Sequence, residues 1–125
     1  MGMHRYSKAE RLPIEVLVFT MKPDHVDEFL ALDHEVWTLG GASLPGFEHM
    51  PFLSKEVWLD ESRPGRVTLV YVWESHEAWQ AVSSNHIQER LQSEFDSRFP
   101  HDLRLEEAWH EDSNMGLYRW SRYER

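Results

Sequence analysis

The run Val67 to Trp73, VTLVYVW, is the most strand-like in the chain and is largely apolar on both faces. Strand alternation sends Val67, Leu69, Tyr71 and Trp73 to one side and Thr68, Val70 and Val72 to the other. A strand of this kind asks for cover on both sides. Arg63-Pro64-Gly65 before it is a turn signal, and Glu56 to Leu59 is a short strand, so the two form a hairpin. Ser75 behind it stands where a helix N-cap belongs, with Glu77 in the first turn.

The rest of the chain reads as cover for this hairpin. Ile14 to Met21, IEVLVFTM, is a strand, polar only at Glu15 and Thr20. Pro23 opens a helix from Asp24 to Leu39, with Val26, Phe29, Leu30, Val36 and Trp37 on its apolar face and Gly40-Gly41 as its stop. Residues 40–51 form a Gly- and Pro-containing loop. A helical region from Ser75 to Phe99 breaks at Asn85, and its second piece spaces Ile87, Leu91, Phe95 and Phe99 by fours. Leu103 to His110 is the last strand, with Leu103 and Leu105 facing away from Ala108. The order β-α-β-β-α-β is the ferredoxin-like signature, an α+β fold with an antiparallel four-stranded sheet. Residues 1–12 read as a polar lead-in, 13–112 as the domain, and 113–125 as an aromatic tail.

That fold places both helices on one sheet face, so one apolar face is left over. Such a patch marks an interface, and a closed two-fold homodimer through the sheet faces is the simplest way to cover it. Tyr118, Trp120 and Tyr123 in the tail are expected to pack on the partner subunit or along a sheet edge.

Composition excludes several classes of function. The formal charge of −9 argues against nucleic acid and against an anionic membrane surface. No apolar run reaches the ~20 residues of a membrane span, and the first residues are no signal peptide. Cysteine is absent, which removes thiol chemistry and fits a reducing cytoplasm. The histidines lack the HxxxH spacing of a helical zinc site, so no metal is expected.

Chemistry concentrates at a few residues. Asp33 falls on the apolar face of the first helix, where a carboxylate needs a partner or a watery pocket. It reads as a general base or ligand anchor, or as the partner of a nearby cation. Lys55 reaches it across the helix–sheet gap if it shares a face with Val57. Trp37 lines the same gap, and Trp58, Trp73 and Trp79 offer an aromatic wall, suited to a flat apolar ligand or to a dimer interface.

Four segments, LDHEVWT (Leu32 to Thr38), LPGF (Leu44 to Phe47), SKEVWLD (Ser54 to Asp60) and VTLVYVWESHEAW (Val67 to Trp79), resemble a small, mainly cyanobacterial family. It lies within the antibiotic-biosynthesis-monooxygenase-like dimeric α/β-barrel superfamily. The resemblance spans residues 14–110 and implies a ferredoxin-like subunit in a homodimer whose sheets form a barrel. Members of the wider superfamily oxidise polycyclic aromatic substrates without metal or flavin, degrade haem, or only bind. The haem-degrading members carry an Asn on the first strand, which IEVLVFTM lacks. The close family implies no known reaction. One reading, resting mainly on the resemblance to the wider superfamily, is a cofactor-independent oxygenase for a small apolar or aromatic molecule, with Asp33 or His86 as the acid/base group and Trp37 and Trp73 as walls. The alternative is a dimeric ligand-binding domain without turnover.

Overall fold

A computed structural model describes residues 2–40, 50–84, 86–109 and 117–125. Strands β2 (Ile14–Thr20), β3 (Phe52–Leu59), β4 (Arg66–Trp73) and β5 (Arg104–Trp109) form one antiparallel sheet in the order β3-β4-β2-β5. Helices α1 (Val26–Leu32), α2 (His76–Ser84) and α3 (Ile87–Arg98) connect them in the ferredoxin-like order. Two further strands, β1 (Gly2–Arg5) and β6 (Ser121–Glu124), pair with each other as a separate ribbon. Residues 2–5 of the polar lead-in form a strand. The LPGF segment, most of the expected 40–51 loop, and the expected break at Asn85 lie outside the described residues.

The two apolar faces of β4 have different fates. Val67, Leu69, Tyr71 and Trp73 are buried under the helices, against Phe29 and Val36 from the first helical segment and Leu91 and Phe95 from α3. Ile87, Leu91, Phe95 and Phe99 are all buried, which accounts for their spacing by fours. Full burial of each such side chain contributes roughly 1.5–3 kcal/mol. On the opposite face, register sets Glu56, Val70, Val16 and Trp109 in one row and Trp58, Thr68, Val18 and Glu107 in the next. Val16 and Val70 are half-buried there, and Trp58 and Trp109 are exposed. Ile14, Val18 and Val72 point to the same face and are buried.

Local chemistry fixes the ends of these elements. Ser75 Oγ accepts a hydrogen bond from the Ala78 amide at 2.9 Å, the expected cap of α2. Gly65 has φ +93°, and an added Cβ would collide with the Met21 carbonyl oxygen. The Gly65 carbonyl also accepts from the Met21 amide at 2.9 Å, tying the hairpin turn to the end of β2.

Two expectations need correction. The first helix is not one uniform helix from Asp24 to Leu39. A 3₁₀ turn, Pro23–His25, leads into α1, and residues Asp33–Thr38 form a π-helical turn. In β5, Leu105 does not face away from Ala108. The register shifts between Val18 and Phe19, so Leu105 opposes Phe19 while Ala108 opposes Leu17. Leu17 and Phe19 share a face, so the bulge turns Leu105 and Ala108 toward the helices together.

Candidate functional site

A cavity of about 880 Å³ lies between the sheet and the helices. Its walls are mainly aromatic and aliphatic, with Trp37, Tyr71, Trp73, Trp79 and Phe95 among them. Carboxylates enter its lining at Glu15, Asp33, Asp96 and Asp102. This volume falls within the usual range for small-molecule pockets, roughly 300–1,000 Å³.

The π turn explains how a carboxylate comes to stand in this wall. In an α-helix, residues five apart diverge around the axis. The i→i+5 repeat of a π-helix aligns them instead. Leu39 N–H donates to the His34 carbonyl at 3.0 Å in that repeat. Asp33 and Thr38, five apart, therefore present their side chains to the same neighbour, Lys55. Its Nζ donates to Asp33 Oδ2 at 2.5 Å and to Thr38 Oγ1 at 2.7 Å.

Lys55 arrives from β3 in a cross-strand row with Tyr71 and Glu15. It shares the helix-facing side with Val57, which is the condition under which it reaches Asp33. Its Nζ also lies 5.1 Å from the centre of the Tyr71 ring, a cation–π contact. The side chains of Lys55 and Asp33 are 5% and 4% exposed. Burial raises the Asp33 pKa above the usual carboxylate value, and the charge and hydrogen bond of Lys55 oppose that rise. Burial likewise lowers the Lys55 pKa, against the pull of Asp33. The pair is thus an acid and a base drawn toward each other in proton affinity. Burial, and then the carboxylates of Asp33 and Glu15, push the Tyr71 hydroxyl well above its ordinary pKa.

Trp73 completes the wall. Its ring stacks on Tyr71 at 5.9 Å and 20°, and Phe52 meets it edge-on at 5.6 Å. The indole is 4% exposed, and its Nε1–H has no hydrogen-bond acceptor among the described residues. A buried N–H without an acceptor is uncommon and costly.

Asp33, Trp37 and Trp73 therefore meet around one cavity. Lys55 belongs to the site through Asp33 but is not part of the lining. His86 does not join them. It has φ +59°, its side chain is 75% exposed, and it pairs with Glu89 at 3.1 Å. Its left-handed backbone opens α3 with the ring turned outward. Trp58 also leaves the aromatic wall, because it faces the opposite side of the sheet. Sequence reasoning overlooked Tyr71 and Thr38. The signal for Tyr71 was its two-residue offset from Trp73; nothing in the sequence marked the π turn that recruits Thr38. Among the described residues, no group of three His, Asp or Glu could hold a metal ion, and no helix is long and apolar enough to cross a membrane.

No family model and no curated protein matches the sequence. Solved structures do share its fold. One is a candidate antibiotic biosynthesis monooxygenase of Bacteroides thetaiotaomicron, with TM-score 0.50 and 17% identity over 78% of this chain and 87% of that one. Another, a candidate antibiotic biosynthesis monooxygenase of Caulobacter crescentus, has TM-score 0.50 and 12% identity over 78% of this chain and 88% of its own. At these identities the likeness speaks for the ferredoxin-like fold.

Proposed function

We propose that this chain acts as a homodimer, closed through the open sheet faces, in which each subunit takes a flat aromatic molecule into the helix–sheet cavity and oxygenates it without a cofactor. The observation that carries this reading is the cavity itself, largely apolar with several aromatic side chains and with the Asp33 carboxylate set into its wall. The oxygenase step takes up the activity for which the two fold neighbours are named.

The residues present divide the chemistry as follows. Trp37 and Trp73 sandwich or flank the rings of the ligand, and Trp73 Nε1–H donates to an oxygen on it. Asp33, as carboxylate, accepts a proton from a ring CH₂ activated by conjugation with a carbonyl. The electron-rich carbanion then reduces O₂, so the CH₂ becomes C=O and the second oxygen leaves as water. Lys55 holds the Asp33 carboxylate in place and compensates its charge while it is ionised.

Binding without turnover is the second reading. The 2.5 Å Asp33–Lys55 contact favours it, because one carboxylate oxygen is already engaged. Titration with dithranol, a tricyclic hydroxyketone, followed by tryptophan emission tests the shared part of both readings. Saturable quenching is expected in the wild type, weakened about tenfold when Trp73 loses its N–H in Trp73→Phe. The absence of saturable quenching up to the solubility limit speaks against both.

A further inference from the structure

We infer that the β1–β6 ribbon is an arm that docks on the acidic body of a second copy of this chain. This rests on the second copy proposed above but concerns a different surface from the open sheet face.

The ribbon cannot be explained by its own stability. A lone two-stranded ribbon is marginal in water, and pairing beyond it or packing on it is what makes such a unit hold. Every residue of β1 is exposed, and in β6 only Ser121 is half-buried. Its apolar side chains are large. Met3 and Tyr123 face each other across the strands and are 58% and 67% exposed, and Trp120 beside them is 56% exposed. Arginines stand over the rings, Arg5 at 4.7 Å from Trp120, Arg119 at 4.3 Å from Tyr6 and Arg11 at 3.9 Å from Tyr118. Arg, Tyr and Trp are the residues enriched at protein interfaces.

Charge selects the occupant. Residues 2–11 and 117–125 hold six of the 13 Lys and Arg but only two of the 22 Asp and Glu. The ribbon segments therefore carry +4, and the chain total of −9 leaves −13 on everything else. A basic, aromatic ribbon and a strongly acidic body within one sequence are complementary when two copies meet. A two-fold arrangement satisfies both ribbons at once, because each contact is repeated in reverse. Nucleic acid is the poorer occupant, because the body repels phosphate.

The absence of cysteine makes the test direct. Glu124→Cys, labelled with a benzophenone maleimide and irradiated at low protein concentration, reports what lies beside the ribbon. The expected product is a two-chain band whose crosslinked peptide comes from residues 13–109 of the other chain. Changing Arg119, Arg122 and Arg125 together to Glu should remove that band and weaken self-association about tenfold or more at low salt, since charge complementarity is screened. Crosslinks confined to one chain, in a sample that light scattering shows to be dimeric, would overturn this inference and leave the sheet-face dimer standing. Crosslinks confined to one chain in a monomeric sample would overturn both.

Discussion

Lys55 Nζ lies 2.5 Å from Asp33 Oδ2, and both side chains are almost wholly covered. The contact ties the π turn to the edge strand of the sheet, 22 residues apart in sequence. Removing one member of a buried pair strands the other charge, at a cost of about 3–5 kcal/mol. Asp33→Asn and Lys55→Met should each lose that much in urea unfolding. The double variant should recover a large part of it, because no charge is then left buried. A near-zero coupling in this double-mutant cycle would contradict the pairing.

Lys55→Met should also acquire a characteristic pH dependence. Burial raises the Asp33 pKa, and the ammonium that opposes this rise is gone in the variant. The folded state then binds the Asp33 proton more tightly than the unfolded chain does. Stability should therefore increase as pH falls through the raised folded-state pKa toward the ordinary carboxylate value, and fall again as pH rises through the folded-state pKa. Urea midpoints from alkaline to mildly acid pH check the sign; a decrease toward low pH, beyond that of the wild type, would be wrong for a buried carboxyl.

Trp73→Phe keeps most of the aromatic wall but removes the unpartnered indole N–H. Since that donor has no acceptor among the described residues, its loss should cost the fold little, on the order of 1–2 kcal/mol from lost ring contacts. Dithranol affinity should fall about tenfold, the worth of one hydrogen bond to a ligand oxygen. Equal affinity in the two proteins would mean that the indole N–H does not meet the ligand.

Val70 sits half-buried on the open sheet face, between Glu56 and Val16. Val70→Glu should leave the subunit folded and produce a monomer, because a carboxylate at the centre of a closed interface has no counter-charge. Light scattering together with far-UV circular dichroism separates this from simple unfolding. A folded dimer in the variant would place the interface elsewhere.

Much of the fold was readable because burial leaves a periodic trace. The two-sided apolar run at Val67 to Trp73 marked the sheet centre, and the spacing of Ile87, Leu91, Phe95 and Phe99 marked α3. That Asp33, Trp37 and Trp73 face one gap was legible because a carboxylate interrupted an apolar face opposite an aromatic strand. The π turn was not legible, since six residues of ordinary helix-compatible sequence give no sign of a widened repeat. The β5 bulge was hidden for a similar reason: alternation assigns Leu105 and Ala108 to opposite faces until a residue is left over. His86 misled because a position near a helix start says nothing about which way the ring turns.

Oxygen uptake tests the central claim most directly. Wild-type protein and the Asp33→Asn/Lys55→Met double variant, which preserves the fold by leaving no charge stranded, are each mixed with dithranol, and consumption of O₂ is followed above the uncatalysed rate. Removing a general base typically lowers a rate by about 10²–10⁴-fold. The expected result is therefore rapid uptake in the wild type and a loss of at least about a hundredfold in the double variant, with ligand binding retained. Uptake at the same rate in both proteins, or at the uncatalysed rate in both, would contradict a catalytic role for Asp33 in this cavity.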